Sequence, residues 1–157
     1  MKKFSQACEN NKTFIAAQIA DVLSSDCTAT SDMSDTQCVT PLQPHYILEV
    51  GSGTGQHAAY IPQVLTNIVW QASDLAENLP SIAAWRDDLS EIDRQRCLAP
   101  IELDVAAEQW PNTPVANIFT ANTLHIIAWP LVEQLIRQAA THLQLGGHLM
   151  VYGPFNY

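Results

Sequence analysis

Two apolar periodicities alternate along this chain. From Phe4 to Leu23 the apolar residues recur at helical spacing, with Phe14, Ile15, Ile19, Val22 and Leu23 on one side. Residues 25–44 are rich in Ser, Thr and Asp and poor in apolar side chains, and read as an acidic, mobile loop. Tyr46, Ile47, Leu48 and Val50 then form a short apolar run of the kind a buried strand shows, ending in glycines at 51, 53 and 55. A helical pattern follows, with Ala58, Ala59, Ile61 and Val64 as inward positions. A second strand starts at Ile68-Val69-Trp70 and ends at Asp74. A helix is expected from about Asn78 to Arg94, with Leu79, Ile82, Ala83, Trp85 and Leu89 inward. Ile101–Val105 and Val115–Ala121 read as the third and fourth strands. Trp129-Pro130 opens a helix through about Leu143, since proline's missing N–H goes unused in a first turn. Gly146-Gly147 should stop that helix, and His148–Tyr152 should be a fifth strand. Strands alternating with helices predict an α/β fold, a parallel sheet with helices on both faces. No internal repeat is present, and the whole chain reads as one domain: helix 1–24, loop 25–44, α/β core 45–157.

The chemistry concentrates at Ile47–Gly55, Ile-Leu-Glu-Val-Gly-Ser-Gly-Thr-Gly. A strand, a glycine turn and a helix bring backbone N–H groups and a positive helix end up to a nucleotide-like ligand, and glycine leaves room for its approach. The plainer alternative is a glycine-rich surface turn, which rarely lies between a buried strand and a helix. A dinucleotide fingerprint needs G-x-G-x-x-G, but Gln56 occupies the third glycine position and the glycine falls one early, at Gly55. No lysine follows the loop, so it is not a phosphate-cradling G-x-x-x-x-G-K motif either. Glu49, just before the loop, would repel a pyrophosphate and suits a ligand bearing an ammonium group. Asp74 lies 19 residues beyond Gly55, close to the ~20-residue offset of a ribose-binding acid. Either Asp74 or Asp104, near the third strand's end, could equally cap a helix or sit solvated in a loop.

The spacing E-x-G-x-G-x-G resembles motif I of the class I S-adenosylmethionine-dependent methyltransferases, whose fold is Rossmann-like. The resemblance implies S-adenosyl-L-methionine as cofactor, held by Glu49, Gly51, Ser52, Gly53 and Gly55. It implies ribose contacts from Asp74, and adenine contacts from Asp104 and Val105. Asn122 falls in the fourth motif, an apolar strand leading to a polar residue and then Leu124-His125. A closer likeness rests on Ala7 with Glu9-Asn10-Asn11, Leu48–His57, Trp70-Gln71-x-Ser73-Asp74, Leu103-Asp104-Val105, Ala121-Asn122-x-x-His125-Ile126-x-x-Trp129, and Tyr152-Gly153-Pro154-Phe155. These are similar to the methyltransferase-like domain-of-unknown-function family 938, whose acceptor is not established. That likeness implies polar contacts over the site from Asn10 and Asn11. It also implies that the family fold continues past the fifth strand. The chain is therefore expected to be a fragment, with poor turnover and an open fifth strand that self-associates.

For catalysis, His125 is the candidate base, placed just past the fourth strand with a side chain type suited to proton transfer near neutral pH, or else a structural histidine bonded to nearby backbone. His57 and Tyr152 are weaker candidates. Trp110 and Trp129, each followed by proline, are candidate walls of an acceptor pocket, or else core. Composition narrows the partners. A net charge of −9 opposes broad nucleic acid contact and favours a small molecule or a protein as acceptor, a small molecule being the one expected. No apolar run approaches the ~18 residues of a membrane span. Cysteines at 8, 27, 38 and 97 have no metal-ligand spacing and read as free thiols, pointing to the cytoplasm with no metal. Two other readings stay open: a nicotinamide-dependent oxidoreductase, and a non-catalytic binding subunit on a methyltransferase scaffold.

Overall fold

A computed structural model describes residues 1–25, 43–107, 110 and 114–154. The elements run α1 (Gln6–Ser25), β1 (His45–Val50), α2 (Gln56–Val64), β2 (Ile68–Asp74), α3 (Leu79–Asp87), α4 (Glu91–Arg96), β3 (Ile101–Glu102), β4 (Val115–Ala121), α5 (Trp129–His142) and β5 (Leu143–Tyr152). The strands form one sheet in the order β3-β2-β1-β4-β5, and every pairing is parallel. β1 is central and covered on both sides, which is why its run lacks polar alternation. Ile47 faces a core built with Ile15 and Ile19 of α1, Ile61 of α2, Trp70 and Phe119. Leu48 and Val50 face the opposite core, with Ile118, Leu135 and Ala139 of α5. The α/β architecture expected from the pattern is therefore the one observed. Among the described residues, no helix is long and apolar enough to cross a membrane.

Several boundaries differ from expectation, each for a local reason. The helix expected over 78–94 is two helices, because Leu89 turns inward to be buried and Ser90 restarts the chain as an N-cap, its Oγ accepting from Asp93 N at 3.2 Å. The third strand stops at Glu102 because Asp104 makes a turn, its Oδ1 accepting from Ala106 N at 2.8 Å. Gly146-Gly147 does not end a helix. It lies inside β5, where a Cβ on Gly147 would come within 2.3 Å of Ala116 O and block the pairing with β4. Val64 and Phe14, expected inward, are exposed. The acidic loop assigned to 25–44 lies almost wholly outside the described residues.

Candidate functional site

The glycine loop leaves the C-terminal end of the central strand, where a parallel sheet places its ligands. Its backbone is held from behind. The N–H groups of Gly51 and Ser52 both donate to Ser73 O at 3.0 Å, and that of Gly55 to Ser52 O at 3.0 Å. The Gly53 N–H donates to Asp74 Oδ2 at 2.6 Å. Gly51, Gly53 and Gly55 all have left-handed φ, but their surroundings differ. A Cβ on Gly51 would strike Thr123 Oγ1 at 2.6 Å, and one on Gly55 would strike Ile82 Cα at 2.7 Å. At Gly53 nothing lies within 4 Å of that position. Two of the glycines serve packing, and Gly53 alone keeps open space in front of the loop.

That space is a cleft of about 1090 Å³, bounded by the loop, the ends of β2, β3 and β4, and the start of α1. Gly51, Ser52, Gly53, Asp74, Asp104 and Val105 line its loop side. Asn122, His125 and Tyr152 line it from the β4 and β5 ends, and Asn10 and Asn11 from α1. The sequence-derived residues thus converge, with four exceptions. Gly55 sits behind the loop against α3. Trp129 is 69% exposed and its indole donates to Glu133 Oε1 at 2.9 Å, outside the cleft. Trp110, the other aromatic candidate, is buried in the α5-side core.

Glu49 is the fourth exception. It is 1% exposed and lies beneath the loop, where Oε2 accepts from Ser52 Oγ at 2.7 Å and from Trp70 Nε1 at 2.9 Å. Burial pushes its carboxyl up to about 7, against the pull of those two donors. Beside it, His57 Nδ1 stands 4.0 Å from Glu49 Oε1, and its Nε2 pairs with Asn11 Oδ1 at 2.8 Å. Burial, helped by the charge on Lys12, lowers the ring to about 4, so it is neutral near pH 7. Glu49 therefore shapes the loop from behind, and His57 ties α1 to the cleft floor.

The sequence reading missed two features. Asn78 Nδ2 donates to Asp74 Oδ1 at 2.8 Å, which with Leu75 N at 2.7 Å fixes the carboxylate and leaves acceptor capacity on Oδ2. The residues before α1 form a strap over α2 and α3. Ser5 N donates to Gln56 Oε1 at 2.6 Å, Lys3 N to Ser81 Oγ at 2.8 Å, and Trp85 Nε1 to Lys3 O at 2.8 Å. Gln56 replaces the third dinucleotide glycine, and its buried amide receives this strap.

A family model described as "Protein of unknown function (DUF938)" matches residues 2–157. The chain belongs to the DUF938 family. Its fold is shared with solved methyltransferases. The glycopeptide N-methyltransferase MtfA matches with a TM-score of 0.65 and 16% identity, over 89% of this chain and 52% of that one. The S-adenosylmethionine-dependent methyltransferase SibL matches at 0.61 and 19%, over 75% and 34%. An O-methyltransferase family 2 protein from Planctomyces limnophilus DSM 3776, solved with apigenin, matches at 0.62 and 19%, over 98% and 45%. MtfA also has structures with S-adenosyl-L-methionine, S-adenosyl-L-homocysteine and sinefungin. At these identities the likeness is one of fold, and this DUF938 chain spans about half or less of the length of each.

Proposed function

We propose that the chain binds S-adenosyl-L-methionine in this cleft and transfers its methyl group to a small-molecule acceptor. The observation that carries the reading is the loop itself. Its cleft side is bare at Gly53, while its N–H groups at 51, 52, 53 and 55 are engaged inside the protein. That arrangement suits a cofactor without phosphates and opposes a pyrophosphate, which needs free donors. The S-adenosyl-L-methionine complex of the similarly folded MtfA supports the same ligand class. Gly51, Ser52 and Gly53 would face the cofactor, Asp74 its ribose through Oδ2, and Asp104, Val105 and Asn122 its base side. When bound, the cofactor supplies an electrophilic methyl: the carbon–sulfur bond breaks with its electron pair going to sulfur as the acceptor's lone pair forms the new bond. His125, exposed at the cleft's β4 end, is placed to take the acceptor's proton, while Asn10 and Asn11 offer polar contacts to the acceptor.

The test is calorimetry with S-adenosyl-L-methionine, S-adenosyl-L-homocysteine and NADH, followed by an acceptor screen with labelled cofactor. Asp74→Ala should weaken cofactor binding by about 1–3 kcal/mol, the cost of losing a charge-assisted hydrogen bond. His125→Gln should lower turnover by roughly 10²–10⁴-fold at unchanged cofactor affinity. Binding of NADH in preference to S-adenosyl-L-methionine overturns the reading. Cofactor binding without turnover on any acceptor favours a binding subunit.

A further inference from the structure

The chain contains seven Lys and Arg residues against sixteen Asp and Glu. All seven cations fall among the described residues, and none lines the cleft. Lys2 pairs with Asp88 and lies over the Trp85 ring, and Lys12 pairs with Glu9 and lies over Tyr60. Arg86 and Arg94 donate to backbone carbonyls around α3 and α4, Arg96 donates to Pro62 O of α2, and Arg137 is exposed on α5. Lys3 Nζ donates to Asn78 Oδ1 at 2.8 Å, at the rim of the cleft that Asn78 lines. Undescribed segments 26–42, 108–109, 111–113 and 155–157 contain no Lys or Arg at all. By contrast two carboxylates, Asp74 and Asp104, line the cleft. Of the other usual source of anion-binding groups, loop N–H donors, those of Gly51, Ser52, Gly53 and Gly55 are engaged internally.

A cleft with low-dielectric walls and charges of one sign focuses its field on whatever enters. We infer that the cleft as this chain builds it favours an uncharged or cationic acceptor and selects against molecules bearing a carboxylate or phosphate. The inference rests on the methyltransferase reading above, and deepens it. The volume of about 1090 Å³ is at the upper end of small-molecule pockets, so a cofactor and a small acceptor fit together. The acceptor end combines the Asn10 and Asn11 amides with apolar Ile126, Ile127 and Leu131. Beside the imidazole of His125, that lining offers neutral hydrogen bonds and hydrophobic contact, with no Lys or Arg counter-charge for an anion.

The experiment uses three phenols that differ only in the tail: tyramine (cationic), 4-ethylphenol (neutral) and 4-hydroxyphenylacetate (anionic). Binding to the full chain saturated with S-adenosyl-L-homocysteine is followed by ligand-observed NMR at about pH 8, where histidine is neutral. At low ionic strength the cationic probe should bind about 10-fold or more tightly than the anionic one, with the neutral probe between. The gap should narrow at about 1 M salt, and in Asp104→Asn. An anionic probe that binds as well as or better than the cationic one overturns the inference, as does the absence of any preference. S-adenosyl-L-homocysteine binding is measured first on the same sample. Its absence counts against the cofactor reading, whereas its presence with anion-tolerant probe binding counts against the charge selection alone.

Discussion

Replacing Glu49 by glutamine should reshape how stability depends on pH. Burial pushes the Glu49 carboxyl up to about 7 in the folded protein, against an ordinary value of 4.5 in the unfolded chain. Between those values the folded state holds more protons than the unfolded one, so stability falls as pH rises through the window. A gap of about 2.5 pH units at ~1.36 kcal/mol per unit makes that loss about 3 kcal/mol. His57, 4.0 Å away, acts in the opposite sense. Its folded value of about 4 lies below the 6.5 of a free histidine, so its contribution is present above about 6.5 and is lost as pH falls toward 4. The two windows nearly coincide and their slopes offset each other in the native protein. Glu49→Gln removes one of them while keeping an oxygen for Ser52 Oγ and Trp70 Nε1. Urea unfolding of both proteins, followed by tryptophan fluorescence, measures the difference. Variant minus native stability should increase by about 3 kcal/mol between pH ~4.5 and ~7 and stay level outside that range. A difference that is flat across the window refutes a buried, protonated Glu49.

Two further perturbations separate fold from function. Gly55→Ala brings a Cβ to 2.7 Å from Ile82 Cα at a φ of +93°, and should cost about 2–4 kcal/mol in denaturant unfolding whether or not ligand is present. Gly53→Val meets no protein atom within 4 Å, so the protein should stay folded at a cost of about 1–2 kcal/mol yet lose cofactor affinity in calorimetry; normal affinity contradicts the cleft assignment. We also propose that β5, which among the described residues pairs only with β4 and leaves Leu145 fully exposed, associates with another copy. Sedimentation should show concentration-dependent dimers that Leu145→Lys abolishes, and a native protein that remains monomeric at about 100 μM contradicts this.

The sheet was legible because its central strand is an uninterrupted apolar run ending in glycines, a signal fixed by burial on both faces. Asp74, Asp104 and Asn122 could be placed for the same reason, since strand ends in a parallel sheet share one edge. What escaped the sequence depended on contacts between distant segments. Nothing near Lys3 or Ser5 marks the strap, because its partners, Ser81, Trp85 and Gln56, lie more than 50 residues away. Glu49 was assigned to the cleft by its position before the loop. Strand alternation instead turns its side chain toward Trp70, on the face that α1 and α2 cover. Gly146-Gly147 looks like a helix stop locally, and only the nearness of Ala116 O reveals its use inside a strand.

The strand order also carries a consequence for how the chain assembles. β1 pairs on one side with β2, close in sequence, and on the other with β4, where Ile47 meets Asn117 some 70 residues later. The core beneath α1 and α2 draws its buried residues from before 83 except for Phe119, and Ala121, Met150 and Tyr152 pack against it later, partly buried. The core beneath α5 cannot close until Ile118, Leu135 and Ala139 have been made. A growing chain therefore collapses one face of its sheet first and carries the other face of Leu48 and Val50 bare, with β1's second edge unpaired, until β4 docks. Aggregation during synthesis should begin at that bare face, so slowing elongation before Val115 prolongs the vulnerable interval, although the finished fold is unchanged.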